Sequence, residues 1–296
     1  MPSLTQDSIQ LTRRLSHEIL EDIQYFHEEM KLGSVSLKMH GVSARHLITG
    51  EEIVGASAGC ADTHKTIAEF ELMERAVTLN AIHGSNEFWL AYDFTGRHPR
   101  YVSRADVFLE STKPDKWIYS RSNGIAFGDN FRDAAHRALC ESVERDIILR
   151  SWFTKTSPQR IAVEANELII EVEKVFDCHQ GFHGQVEVAG KIIYVMSFLG
   201  LRKSIDGPAI IGFGAADSVK GAKEKSFSEF LQKLTFLWEE KIGSFSKIKP
   251  GPEFHQKWEL SDIGRKNLSE WYLGSDKNVG VIERTIEDVR ITPLYG

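Results

Sequence analysis

Cysteine is scarce in this chain: Cys60, Cys140 and Cys178 are the only three among 296 residues. An odd number without CxxC spacing argues against a disulfide framework and a Cys-rich zinc site, and fits a reducing compartment. Long apolar runs are missing too. No segment approaches the roughly 18 consecutive apolar residues that cross a bilayer. The first residues, MPSLTQDSIQLTRRLSHEIL, alternate charges with hydrophobics where a signal peptide would carry an apolar stretch. The expected setting is the cytoplasm, away from membranes. Basic charge is not in surplus: 36 Lys and Arg stand against 42 Asp and Glu, for a net charge of −6 and a pI near 6.0. Proteins dedicated to nucleic acid need a local excess of cations to displace phosphate counterions, so none is expected as a partner. Walker A and GxGxxG signatures are absent, as are low-complexity tracts and short-period repeats.

What is present is enough apolar residue, 42%, for a sizeable core in one large or two ordinary domains. Leu11, Leu15, Ile19, Ile23 and Phe26 recur at helical spacing and predict an amphipathic helix over residues 8–30. Residues 34–40 and 46–55 read as antiparallel strands, with a turn at Thr49-Gly50. A helix is predicted over 63–79 and an aromatic strand over 87–92. Asn130 offers a cap for a long helix to about Phe153. Two apolar strands, 190–199 and 209–213, precede a helix over 218–240. A Pro/Gly linker at 246–252 and a strand-like piece at 279–283 complete the pattern. Strands and helices do not alternate strictly. The expected class is therefore α+β, with mixed or antiparallel sheets and packed helices rather than a doubly wound parallel sheet. A core over 1–245 and a C-terminal extension over 246–296 packed on it are expected.

One internal echo stands out. Glu71-Leu72-Met73-Glu74-Arg75 in the second predicted helix and Glu141-Ser142-Val143-Glu144-Arg145 in the long one both read ExxER. Residues i and i+3 share a helical face. Phe70, Met73 and Val77 line another face of the first helix, and Leu139, Val143 and Ile147 the matching face of the second. A single ExxER is an ordinary surface ion pair worth about 0.3–0.5 kcal/mol. Two copies with matching core faces suggest more. Ile67 and Ile148 lie near the acids, and Ala134 and Ala138 leave room beside the second pair. Four converging carboxylates would repel and shift one another's pKa values, and a divalent cation is the direct remedy. Oxygen-only ligands favour Mg²⁺, Mn²⁺ or Ca²⁺, and Mg²⁺ is commonly shared with substrate phosphates. Before the second acid helix lies Ser122-Asn123-Gly124-Ile125-Ala126-Phe127-Gly128-Asp129-Asn130. This Gly-containing loop opens a helix, and its backbone N–H groups and the helix dipole favour anions.

The stretch SNGIAFGDNFRDAAHRALCESVERDIILRSWF, residues 122–153, resembles the signature of the YcaO family. AEFELMERAV, residues 68–77, resembles the family's first ExxER helix. GFGAADSVKGAKEKSFSEFLQ, residues 212–232, resembles its third element. The resemblance spans roughly residues 55–235 and implies a YcaO-like fold with a nucleotide site between the two ExxER helices. It implies an enzyme that uses ATP and Mg²⁺ to phosphorylate a peptide backbone amide oxygen. A nucleophile then attacks the activated carbon. A Cys, Ser or Thr side chain gives an azoline and sulfide gives a thioamide. By resemblance, Glu71, Glu74, Glu141 and Glu144 hold Mg²⁺ and the phosphates, while Ser122, Asp129, Asp133, Arg145, Glu229 and Gln232 contact the nucleotide. The implied partners are a precursor peptide, a separate leader-peptide-binding or sulfur-delivery protein, and a second copy of the chain in a homodimer.

The chain departs from the family pattern at Ile67, often Ser; Asp129, often Asn; and Asp133, often Glu. These positions concern nucleotide contacts more than the metal acids. They define the alternative of a catalytically weak or inactive scaffold that binds nucleotide. The end, Ile-Thr-Pro-Leu-Tyr-Gly, lacks the Pro-rich motif common in azoline-forming members, which leaves thioamide and amidine-type outcomes open. Elsewhere, Cys178-His179 with His183 has a spacing that occurs incidentally in polar loops. Lys65 and His64 lie in or just before the first acid helix, where they could reach a phosphate, and a solvated helix face is the simpler reading.

Overall fold

A computed structural model describes residues 18–59, 64–84, 87–93, 98–103, 107, 124–128, 130–204, 206–238, 240, 242–243, 254–274, 279–286 and 289–291. In chain order the elements are β1 (Leu20–Leu32), β2 (Val35–His46), β3 (Glu52–Gly59), α1 (His64–His83), β4 (Phe88–Asp93), β5 (Arg100–Ser103) and α2 (Phe131–Thr154). Then follow β6 (Gln159–Ile161), α3 (Glu167–Glu173), β7 (Phe176–Val188), β8 (Lys191–Arg202), β9 (Ala209–Ala216) and α4 (Val219–Leu237). The last elements are α5 (Phe254–Glu259), α6 (Asp262–Leu273), β10 (Ile282–Ile286) and β11 (Arg290–Ile291). The class is α+β, as expected. No helix among the described residues is long and apolar enough to cross a membrane.

The chain divides into two compact units. The first comprises residues 1–29, 38–142 and 287–296, the second residues 30–37 and 143–286. The boundary falls within α2, after Ser142.

In the first unit, β2 and β3 pair antiparallel from Lys38 opposite Gly59 to Arg45 opposite Glu52. α1 lies against this sheet. Its buried residues Ala68, Leu72, Met73, Ala76 and Val77 join Val42, Ala44 and Ile53 in one core cluster. The helix approaches so closely because β3 carries Gly55. A Cβ there would sit 2.1 Å from the Ala68 carbonyl oxygen and 2.5 Å from the Leu72 nitrogen. Both are backbone atoms, so a side chain must displace the helix. Gly55→Ala is expected to lower stability by about 1–3 kcal/mol and to disturb Glu71 and Glu74 on the same helix. Denaturant titration checks this, and an unchanged midpoint would contradict the contact. A smaller sheet runs β11-β4-β5.

The second unit holds a sheet in the order β10-β7-β8-β9, with β6 also pairing β7. β7, β8 and β9 are antiparallel neighbours, while β10 runs parallel to β7. α4 covers this sheet, burying Phe230, Leu231 and Leu234 against Phe176, Phe198 and Ile210. Its start is the predicted one: the Ser218 side chain accepts from the Gly221 N–H.

Three expectations are corrected. His64, read as part of a solvated face, is buried at 5% exposure, its Nδ1 meeting the Ser57 hydroxyl at 2.8 Å. The predicted helix over 8–30 is β1 from Leu20 onward, and residues 8–17 lie outside those described. Its apolar residues are spaced for a helix, but β1 pairs with β2 and delivers Leu20 and Ile23, with Ile19 just before it, to the core of α1. Phe26 covers Gly41, where a Cβ would lie 2.0 Å from its ring. Tertiary pairing outweighs a local period. The polar loop read around Cys178 and His183 is the long strand β7. His183 is buried there: Nδ1 meets the Ser151 hydroxyl at 3.3 Å and Nε2 the Ser197 hydroxyl at 2.8 Å. With both ring nitrogens partnered by serine, His183 is structural. Burial drops its pKa to about 3, so it stays neutral. The predicted linker at 246–252 lies outside the described residues.

Candidate functional site

The first unit contains three of the four candidate acids. Both α1 acids are half-buried, and the predicted core face, Phe70, Met73 and Val77, is buried. Glu71 turns toward β3. Its Oε2 accepts from the Ala56 N–H at 2.8 Å and its Oε1 pairs with Arg75 at 2.5 Å. Arg75 in turn donates to the Val54 carbonyl. Glu71 is therefore bound to its own scaffold.

Glu74 sits differently. Its Oε2 accepts from the Phe127 N–H at 3.3 Å, within the loop that precedes α2. Burial and the neighbouring Glu141 charge raise its pKa from 4.5 to about 8, against the opposing pull of Arg137 and the Phe127 N–H. Glu141, on α2, accepts from the Gly124 N–H at 3.2 Å. Two separate helices thus bring Glu74 and Glu141 into mutual repulsion, with Glu71 adding a smaller share.

The loop is shaped by its glycines at two points. Gly124 has φ +74°, a left-handed conformation that glycine adopts without penalty. A Cβ there would also lie 2.2 Å from the Ser142 hydroxyl. At Gly128 a Cβ would come within 2.7 Å of Asp133 Oδ2 and 2.8 Å of the Ala134 nitrogen. The loop therefore lies directly on the first turns of α2. Asn130 caps that helix as predicted, its Oδ1 accepting from the Asp133 N–H at 3.0 Å. The sequence suggested backbone N–H groups free for anions. Instead the N–H groups of Gly124 and Phe127 are donated to the two acids. Asp133 stands in the first turn of α2, beside Gly128. Ser122 and Asp129 lie outside the described residues.

The remaining candidates belong to the second unit. Glu144 is buried, with 9% of its surface exposed. Arg145 is half-buried, and its Nε is a buried donor without a hydrogen-bond acceptor among the described residues. Glu229 accepts from the Phe213 N–H at 3.0 Å through Oε2 and pairs with Lys233 at 3.2 Å through Oε1. Lys233 also donates to the Ile211 carbonyl at 2.9 Å and lies 3.7 Å from Glu259. Burial alone would lower the lysine's pKa, but Glu229 and Glu259 outweigh it and hold the value above normal. Both Glu229 oxygens are thus used within the fold. Gln232 is half-buried on α4, one turn from Glu229.

Among the described residues, no group of three or more His, Cys, Asp or Glu side chains is assembled tightly enough to hold a metal ion. The donor chemistry at Glu74 and Glu141 nonetheless fits a hard cation. Both offer carboxylate oxygens, and burial together with their repulsion retains a proton on Glu74 near neutral pH, in the place a cation would take. The orphaned Arg145 Nε likewise suits an anionic oxygen. One residue was not anticipated. Arg137, one turn before Glu141, donates to the Phe127 carbonyl and lowers the charge burden on Glu74. The available signal was a cation at i−4 from an acid of the motif.

A family model described as YcaO cyclodehydratase, ATP- and Mg²⁺-binding, matches residues 86–245, more than half of the chain. The chain belongs to the YcaO family. The match includes the loop, the second ExxER motif and the third element, while the first acid helix precedes it. The solved structure of YcaO from Methanopyrus kandleri bound with AMPPCP and Mg²⁺ is 18% identical. It superposes with a TM-score of 0.61, covering 95% of this chain and 76% of that one. A heterocyclase solved in complex with substrate and cofactor is 13% identical, with a TM-score of 0.58 over 88% of this chain and 44% of that one. This chain thus spans less than half the heterocyclase's length. At these identities the likeness is one of fold. No curated protein sequence matches the chain.

Proposed function

We propose that the protein uses ATP and Mg²⁺ to activate backbone amides in a ribosomally made peptide, leading to an azoline or a thioamide. The observation that carries this reading is the opposition of Glu74 and Glu141 across the Gly124–Gly128 loop, in a chain of the YcaO family. Mg²⁺ would be held by Glu74 and Glu141, with Glu144 and Glu71 as the further acids of the two motifs. When bound, the cation offsets the negative charge of the phosphates and lets both carboxylates ionise together. Ser122, Asp129, Asp133, Arg145, Glu229 and Gln232 are assigned to the nucleotide.

In the proposed reaction the amide oxygen attacks the γ-phosphorus and ADP departs. The nucleophile then adds to the activated carbon, and phosphate leaves from that carbon. For this chemistry the protein positions its reactants and balances charge. Glu74 and Glu141 supply anionic oxygens, and Arg145 offers an unused buried donor. The precursor peptide, a leader-binding or sulfur-delivery protein and a homodimer belong to the same reading, as does a cytoplasmic setting.

A second reading is a nucleotide-binding scaffold without turnover. It is favoured by Glu71 and Glu229, whose carboxylates are engaged by Arg75, Ala56, Lys233 and Phe213. Calorimetry with Mg-ATP, followed by mass spectrometry of a precursor peptide encoded beside the gene and co-expressed with it, separates the readings. Loss of water per site marks an azoline, and exchange of oxygen for sulfur marks a thioamide. Binding of Mg-ATP with no peptide change and no ATP turnover supports the scaffold, and no binding at millimolar nucleotide sinks both.

A further inference from the structure

The Gly124–Gly128 loop is held from two sides. Its N–H groups point to acids: Gly124 to Glu141 at 3.2 Å and Phe127 to Glu74 at 3.3 Å. From the other side, Nη1 of Arg137 donates to the Phe127 carbonyl at 2.6 Å. The Phe127 ring packs edge-on to Phe70 at 5.2 Å and joins the core of α1, so residue 127 is fixed through its ring, its N–H and its carbonyl. Arg137 is exposed, which makes it a minor contributor to global stability. Its hydrogen bond to the loop is nevertheless charge-assisted, and such bonds are short and directional.

We propose that Arg137 is a positioning residue of the nucleotide site: it anchors the loop by the Phe127 carbonyl and keeps the Gly124 and Phe127 N–H groups aimed at the acids, where phosphate and its cation would be received. The inference rests on the nucleotide-binding reading above. It goes beyond that reading by giving a role to a residue outside both ExxER motifs. A loop amide stays aimed only while its carbonyl face is restrained. Once phosphate oxygens replaced the carboxylates as acceptors, those amides would already face them, lowering the ordering cost of binding.

Two variants and two measurements test it. Arg137→Met keeps the apolar stem and removes charge and donors, while Arg137→Lys keeps a charge and a donor. Arg137→Met is expected to weaken Mg-ATP binding about tenfold by calorimetry. It should also speed amide exchange at Phe127 in the ligand-free protein about tenfold, with little change in thermal midpoint. Arg137→Lys should recover most of both losses, which a merely structural residue would not produce. Unchanged Phe127 exchange in Arg137→Met overturns the anchor. So does a loss of affinity that lysine fails to restore. If the parent protein binds no Mg-ATP, the nucleotide reading fails. The exchange comparison, made without ligand, then still decides whether Arg137 holds the loop.

Discussion

Replacing Glu74 by glutamine is expected to stabilise the magnesium-free protein at pH 8 while abolishing ATP turnover. Burial, together with the Glu141 charge, raises the Glu74 pKa from 4.5 to about 8. As pH rises through this window the unfolded chain releases the proton first, and the native state keeps it. Native stability therefore falls between about pH 4.5 and 8. At 1.36 kcal/mol per unit the full penalty approaches about 5 kcal/mol, and relaxation of the site reduces it to roughly 2–4 kcal/mol. Glutamine carries no charge and can still accept the Phe127 N–H. The variant should thus be more stable at pH 8, and the difference should vanish near pH 5. Magnesium should narrow the gap from the other side, by stabilising the parent alone. Denaturant titrations at several pH values, with and without Mg²⁺, provide the measurement. A parent whose stability does not change over this range would mean that Glu74 is not held against Glu141.

The second large effect is expected at Trp271 in α6. This residue is 3% exposed. Its indole N–H is directed at the Ser151 hydroxyl at 3.2 Å and the Thr156 carbonyl at 3.1 Å. Its ring lies 5.0 Å from Trp152, edge to face, and 5.3 Å from His183. Trp271→Ala should cost about 3–5 kcal/mol through lost packing and the cavity left behind. The network it supports reaches further: Ser151 and Ser197 partner the ring of His183, and the Ser197 hydroxyl bonds the Tyr272 hydroxyl at 2.9 Å. Water entering that cavity would bring the His183 pKa from about 3 back toward 6.5. Denaturation and an imidazole NMR titration check both halves. A loss below about 1 kcal/mol with His183 still neutral at pH 5 would contradict the packing.

The helices that carry the acids were legible because their signals are local. Asn130 and Ser218 announce the starts of α2 and α4 through their own side-chain bonds. The buried stripe Phe70, Met73, Val77 repeats at 3.6-residue spacing whatever lies opposite it. The antiparallel strands β8 and β9 were readable as apolar runs bounded by turns. The repeated ExxER and the Ser-Asn-Gly loop likewise identified the family before any fold was known.

The amino-acid sequence by itself determined the class, the acid helices and the residue types brought to the site. Tertiary structure decided which of those acids are committed elsewhere. Glu71 and Glu229 are held by protein partners, while Glu74 and Glu141 repel one another beneath a loop that Arg137 restrains. It also turned a helical-looking segment into β1 and made His183 a buried structural histidine in β7. The physical reason is shared. Helix periodicity and caps are written within a few neighbouring residues, whereas strand pairing, desolvation and the Coulomb field at a carboxylate depend on groups far apart in the chain.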